Sequence, residues 1–298
     1  MVKFGVSIYS ISRKITNKEI TPEYGVKWLA EQGAEVIELV PFGFDLTKEG
    51  GLIEKLSDAA KTSGVKLENY SLNANFLFDN ADDYNVEIAR IKEHIDVVSK
   101  LGMESIRIDC SSYRRDINTN HIENFIAAVP KIAETYEMLC DYAGRSGITV
   151  LLENHGHLAN GSDRIRQLLK TVKSKNFGHQ LDVGNYICVD ETPEIAVKKM
   201  ASFAKTIHMK DFYIRSKDPG DATLFDCSGS WFRSLNGAYL RGSILGQGDL
   251  DIYEIIGIIK KSGYSGSIYV EFEGLEDCFY GTKVSLDNLK RIYYTDNP

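Results

Sequence analysis

Cysteine is scarce in this chain. The five residues Cys110, Cys140, Cys188, Cys227 and Cys278 are an odd number and contain no CxxC pair. That argues against a disulfide framework and against a cysteine-ligated metal, and it leaves reduced thiols as the expectation. Basic residues are also in deficit. Lys and Arg number 35 against 42 Asp and Glu, for a formal net charge of −7. A nucleic-acid backbone is therefore not the expected partner, because such surfaces need clustered cations. Histidine is limited to six residues. No apolar run approaches the length of a membrane span. The opening MVKFGVSIYS reads as a strand, without a long apolar segment or a small-residue cleavage site, so a cytoplasmic protein with no membrane partner is expected. There is no GxGxxG after the first strand and no low-complexity linker.

What the chain does have is alternation. Short apolar runs recur at KFGVSIYS, EVIELVPF, KLENYSLNAN, SIRIDCSS, TVLLENHGH, FGHQLDVGN, TIHMKDF and SIYVEFEG, and a helical pattern follows each. Thr21 before Pro22 marks one helix start, and Gly33, Gly64, Gly102 and Gly147 mark stops. Ser162 or Asp163 is expected to cap the fifth helix. Val86, Ile88, Ile91, Ile95 and Val98 are expected to form the buried stripe of the third. Eight βα units over 298 residues predict a single (β/α)8 TIM barrel spanning 1–298. The connection after the seventh strand is unusually long. Residues 212–246 hold Trp231, Phe232, Arg233, Tyr239 and Arg241 among glycines, which predicts a folded, lid-like insertion.

The organising stretch is TVLLENHGH, residues 149–157, a buried strand ending in polar groups. On a continuing strand Glu153, His155 and His157 share one face and Asn154 takes the other. Three later strands end in the same way, bringing Asp182, His208 and Glu271. In a barrel of this kind those tips converge on one face. Three carboxylates around one imidazole repel one another in a dry pocket unless a cation joins them. Glu153, Asp182, His208 and Glu271 are therefore the expected ligands of one divalent metal. An oxygen-rich set with one nitrogen suits Mn²⁺, Mg²⁺ or Co²⁺, with Zn²⁺ as an alternative. Lys210 falls on the same face as His208. Glu38 and Arg107 are charges inside strands, expected to be buried partners, with Arg107 the better substrate contact. Asp211 is expected to fix a loop.

The set ENHG, LDVGN, HMKD and VEFEG, with GQGDLD ahead of the seventh helix, resembles the xylose isomerase-like TIM-barrel superfamily. The likeness is strongest to sugar phosphate isomerase/epimerase proteins, including ketose 3-epimerases and inosose dehydratases. It implies one divalent ion on the four tips, commonly manganese, with Glu153 and Glu271 also serving as the acid/base pair. It implies a small sugar or polyol ketone as substrate, deprotonated through a metal-bound enediolate. Two positions depart from the ketose 3-epimerase pattern: Asn185 replaces a histidine and Ala159 a glutamate. The expected substrate contacts are His155, Asn185, Lys210, Arg107 and Trp231. Isomerase or epimerase chemistry is the leading expectation. A lyase, of inosose-dehydratase type or cleaving 3-oxo-glycosides, is the alternative. The superfamily's abasic-site endonucleases are disfavoured by the few histidines and the acidic charge. A homo-oligomer is left open.

Overall fold

The computed structural model describes residues 2–113, 116–219 and 231–295. Seven strands come first: β1 (Lys3–Ser7), β2 (Val36–Leu39), β3 (Lys66–Leu72), β4 (Ser105–Ile108), β5 (Thr149–Glu153), β6 (Phe177–Asp182) and β7 (Ala204–Met209). Then come β8 (Asp211–Arg215), β9 (Phe232–Arg233), β10 (Tyr239–Ser243) and β11 (Ser267–Val270). The helices are α1 (Ser12–Thr16), α2 (Pro22–Glu31), α3 (Leu52–Ser63), α4 (Ala81–Lys100), α5 (Ile122–Gly144), α6 (Ser162–Thr171), α7 (Pro193–Met200), α8 (Ile252–Lys261) and α9 (Cys278–Tyr294). Strands β1 to β7 and β11 close into one parallel barrel in the order β1-β11-β7-β6-β5-β4-β3-β2. This is the (β/α)8 TIM barrel that the alternation predicts. Among the described residues, no helix is long and apolar enough to cross a membrane.

Local signals set several boundaries. Thr21 Oγ1 accepts from the Tyr24 amide at the start of α2, with Pro22 in the first turn. Asp251 caps α8 by accepting from the Glu254 amide. Gly64 ends α3 at φ +68°, a conformation that glycine adopts without steric penalty. Two expectations fail for physical reasons. The buried stripe of α4 is Ile88, Ile91, Ile95 and Val98, but Val86 is 70% exposed. Val86 lies two residues before Ile88, on the far side of a 3.6-residue turn. The N-cap of α6 is Gly161, with no side-chain cap. The carboxylate that receives the first amide belongs to Glu191, which takes Ser162 N at 2.7 Å from across the chain.

The barrel interior is partly polar, and the register explains why. Pairing slips between Ile37 and Glu38, so that Glu38 lies opposite Asn69 and Glu68 is the extra residue on β3. A second slip between His179 and Gln180 sets Gln180 opposite Thr206. On β1, a Cβ at Gly5 would lie 2.8 Å from Tyr269 Cδ1 and 2.5 Å from the Val36 carbonyl, so only glycine leaves room for the Tyr269 ring.

After β7 the chain leaves the barrel. Strands β8, β10 and β9 form a small antiparallel sheet within the long connection. Alternation sorts its two faces. Phe212, Ile214, Phe232 and Leu240 are on one. Tyr213, Arg215, Trp231, Arg233, Tyr239 and Arg241 are on the other. The apolar face packs inward: Phe212 and Leu240 are buried, and a Cβ at Gly184, beyond the β6 tip, would meet Phe212 Cε2 at 3.1 Å. The turn after β9 is pinned by Asp190, which accepts from Ser234 Oγ at 2.6 Å and from the Asn236 amide at 2.8 Å. Residues 220–230 of the expected insertion, including Cys227, lie outside the described residues. The other four cysteines are buried, and none is in a disulfide.

Candidate metal centre

Four strand tips supply the centre. Glu153 ends β5, Asp182 ends β6, His208 is the penultimate strand residue of β7, and Glu271 follows β11 directly. Pairing places Asp182 beside His208 and Tyr269 beside His208, so adjacent strands deliver these groups at one height. His208 Nδ1 lies 3.3 Å from Glu153 Oε1, 3.5 Å from Glu271 Oε2 and 3.8 Å from Asp182 Oδ2. One ligand atom from each of the four residues lies within 4.8 Å of the others, and all four side chains are buried.

The lone pairs test whether a cation suits this set. Glu153 Oε2, Asp182 Oδ2 and His208 Nδ1 are buried without a hydrogen-bond partner. Arg107 Nε is 2.9 Å from Glu153 Oε2 and Lys210 Nζ 3.2 Å from Asp182 Oδ2. These are ion-pair distances, but the groups are not aligned for hydrogen bonds, and they leave the atoms' lone pairs unengaged. Buried polar atoms are ordinarily satisfied, so three exceptions on residues whose ligand atoms converge fit a divalent ion. The remaining oxygen of Asp182 is engaged: Oδ1 accepts from the amides of Gly184 (2.8 Å) and Asn185 (2.9 Å). Asn154 stitches the two tips together, donating to the Asp182 carbonyl and accepting from its amide at 2.8 and 2.9 Å.

The electrostatics follow from this crowding. Burial opposes charge on His208, but the carboxylates of Glu38 and Glu271 outweigh it and hold the imidazolium well above its ordinary range. Burial likewise opposes an ionised Glu271, yet Lys210 and His208 bring it well below the carboxylate range. Lys210 is itself raised, because Asp182, Glu271 and Glu273 overcome its burial. Its Nζ is 2.6 Å from Glu271 Oε2 and 3.4 Å from Glu273 Oε2, and it donates to Asn185 Oδ1 at 3.3 Å.

The other expected contacts divide into three groups. Arg107, Asn185 and Lys210 are brought to the centre, and Asn185 keeps a buried Nδ2 without a partner. His155 reaches its edge. The strand does not continue through the motif, because the chain turns at Gly156 (φ +65°) and His155 bridges to Ala159. His155 Nδ1 consequently lies 3.1 Å from Asp109 Oδ2, with a side chain 25% exposed, while His157 is buried apart with its pKa lowered by that burial. Trp231 has its described contacts on the small sheet, where the guanidinium carbons of Arg241 and Arg215 lie 5.2 and 5.9 Å from its ring centre. Asp211 does fix a loop, accepting from the amides of Gly246, Gly248 and Leu250.

Three further residues belong to the centre. Glu38 lies with Oε2 3.0 Å from His208 Nε2. Asp109 pairs with Arg107 Nη1 at 2.9 Å as well as with His155. Glu273 is raised to about 7 by burial and by repulsion from Glu271 and Asp182, which outweigh Lys210. Period-two alternation through VEFEG carries a signal for Glu273, two residues after Glu271. Nothing local marks Glu38 or Asp109 as a neighbour of the centre.

A search of the curated proteins found no match. Among solved structures, the chain is similar to a probable 3-DHS dehydratase of Bacillus anthracis (16% identity, 97% of this chain and 99% of that one, TM-score 0.74). It is also similar to a D-psicose 3-epimerase of Clostridium cellulolyticum H10, with D-tagatose (16% identity, 99% and 100%, TM-score 0.72). A third is a xylose isomerase-like TIM barrel protein of Mycobacterium smegmatis in complex with magnesium (16% identity, 98% and 98%, TM-score 0.69). At that identity the likeness is one of fold. The family model described as xylose isomerase-like TIM barrel matches residues 26–292, nearly the whole chain, and with the closed barrel it establishes that this protein belongs to the xylose isomerase-like TIM barrel family.

Proposed function

We propose that the protein is a divalent-metal-dependent isomerase or epimerase acting on a small sugar or polyol ketone by proton transfer at carbon. The observation that carries this reading is the convergence of Glu153, Asp182, His208 and Glu271, three of whose atoms have no partner although buried. These four residues would hold the ion. Their oxygen-rich set suits Mn²⁺ first, with Mg²⁺, Co²⁺ or Zn²⁺ as alternatives. A bound ion would supply Lewis acidity toward a ketone and its neighbouring hydroxyl.

The chain's own residues supply the rest. Glu271, kept ionised by Lys210 and His208, can accept a proton from carbon. Glu153 is the second carboxylate, and Arg107 Nε lies against its Oε2. Between them they remove and return the proton. Asn185 Nδ2 and the Lys210 ammonium are donors for substrate oxygens. The apolar face of the β8–β10 sheet lies over the β6 tip, which supports a covering role for the insertion at 212–246. If that segment selects substrate, replacing it with a short Gly-Ser linker leaves metal binding intact and weakens substrate affinity and turnover together, by roughly ten- to a hundredfold. Unchanged kinetic constants would reduce the segment to an ornament.

A second reading, elimination on the same scaffold, is favoured by the Asp109–His155 pair. An imidazole oriented by a buried carboxylate and partly open to solvent is a ready proton donor to a departing hydroxyl or aglycone oxygen. Incubating the metal-loaded protein with ketoses and 3-oxo-glycosides in D₂O separates the two. Deuterium at carbon without loss of water or aglycone supports epimerisation or isomerisation, and release of either supports the lyase. No exchange and no release with any substrate, in protein proven to carry metal, would sink both.

A further inference from the structure

Beneath the four converging side chains the barrel holds a polar layer. Glu38 on β2 is fully buried, with Oε2 3.0 Å from His208 Nε2. The same oxygen accepts from Asn69 Nδ2 at 2.6 Å. Asn69 Nδ2 also donates to Gln180 Oε1 at 2.6 Å, and Asn69 Oδ1 accepts from Ser105 Oγ at 2.6 Å. Thr206 Oγ1 donates to Gln180 Oε1 at 3.2 Å. Side chains from β2, β3, β4, β6 and β7 thus form one network directly under His208.

A carboxylate at the centre of a barrel is costly to bury, and a branched apolar residue would fill the layer without that cost. Its placement against a single ring nitrogen is the clue. The upper nitrogen of His208, Nδ1, faces Glu153, Asp182 and Glu271 and has no hydrogen-bond partner. The lower nitrogen, Nε2, has two neighbours that compete for it: Glu38 Oε2 accepts a proton from it, and Gln180 Nε2, also at 3.0 Å, would donate one to it. The charged acceptor prevails, since a charge-assisted hydrogen bond is about twice as strong as a neutral one. Asn69 and Thr206 meanwhile tie down the Gln180 oxygen.

We propose that Glu38 is a positioning residue for the metal centre: it holds the Nε2–H of His208 and so directs the Nδ1 lone pair at the ion. This assigns a role to a residue that the proposed function does not use, and it rests on that function only in requiring a divalent ion at the four tips.

The test is a double-mutant cycle read by calorimetric Mn²⁺ binding. Glu38→Leu is expected to weaken Mn²⁺ binding roughly ten- to a hundredfold. Glu38→Gln, which keeps the volume and one acceptor oxygen, should fall between it and the wild type and serves if the leucine variant does not fold. Combined with His208→Ala, either substitution should add no more than about a twofold further loss, because Glu38 acts only through the ring. A purely structural role would instead lower affinity by the same factor with or without His208. Wild-type affinity in folded Glu38→Leu, or full additivity with His208→Ala, overturns the proposal. A wild type that binds no Mn²⁺, Mg²⁺, Co²⁺ or Zn²⁺ overturns the metal reading itself, and this inference with it.

Discussion

The two ends of the barrel interior are both polar and both buried, yet they are built in opposite ways. Near the floor, Glu68 accepts from Lys3 Nζ (2.7 Å), Tyr269 OH (2.7 Å) and Ser267 Oγ. Hydrogen bonds to those three neighbours keep its carboxyl below the ordinary range against its burial. Every side-chain oxygen of Glu68, Ser267 and Tyr269 has a partner. At the opposite end, Glu153, Asp182 and His208 each keep an unengaged atom: Asp182 Oδ2 faces His208 Nδ1 at 3.8 Å, and Glu153 Oε2 lies beside Arg107 Nε. A network that satisfies itself has nothing left to bind, and its energy is available to stability alone. A network balanced in charge by Arg107, Lys210 and His208 but with buried atoms outside any hydrogen bond keeps acceptors that something outside the chain can complete. Burial of charge does not by itself mark a site. Unsatisfied burial in one place does.

Substitutions can break this contrast or sharpen it. The largest expected effect is at Glu271→Gln. The amide keeps an oxygen for a metal and nearly the same volume, so folding and metal content should hold, while turnover falls by roughly two to four orders of magnitude if this carboxylate accepts the proton. Steady-state kinetics beside elemental analysis make the check, and near-normal turnover would move the base to Glu153 or His155. Next is His208→Ala, which removes the only nitrogen donor and leaves three carboxylates to repel one another. Metal affinity should fall by more than about a hundredfold, beyond the loss expected for a supporting residue. Undiminished binding in calorimetry would contradict the assigned ligand set. The smallest effect belongs to the floor. Glu68→Gln should cost about 1–3 kcal/mol in denaturant unfolding, because Lys3, Ser267 and Tyr269 lose a charged acceptor. Metal affinity and turnover should stay within about twofold of wild type, and a large change in either would show that the two ends are coupled.

Much of this was readable along the chain. Glu153, Asp182, His208 and Glu271 each follow a short apolar run, and alternation with helices is enough to bring such tips to one face of a barrel. Lys210 and Glu273 fall on the same face by period two. The lid sheet was legible only as a folded insertion: its Gly, Pro and aromatic content does not say that Phe232 faces the barrel while Trp231 faces the arginines. That depends on the pairing of Leu240 with Phe232. Local rules failed wherever a distant group replaced the expected near one, as when Glu191 rather than Ser162 or Asp163 supplied the acceptor at the α6 start.

The sequence by itself determined the fold class, the family and the four residues at the centre, because hydrophobic period and strand-end chemistry are properties of neighbours along the chain. Only the tertiary structure decided who stands behind them. Glu38 is 170 residues from His208, and Asp109 is 46 from His155. A sequence spacing holds no information about contacts across a closed barrel until strand order and register are fixed. The slip at Ile37–Glu38, which sets Glu38 opposite Asn69, is a pairing event that neither strand specifies alone.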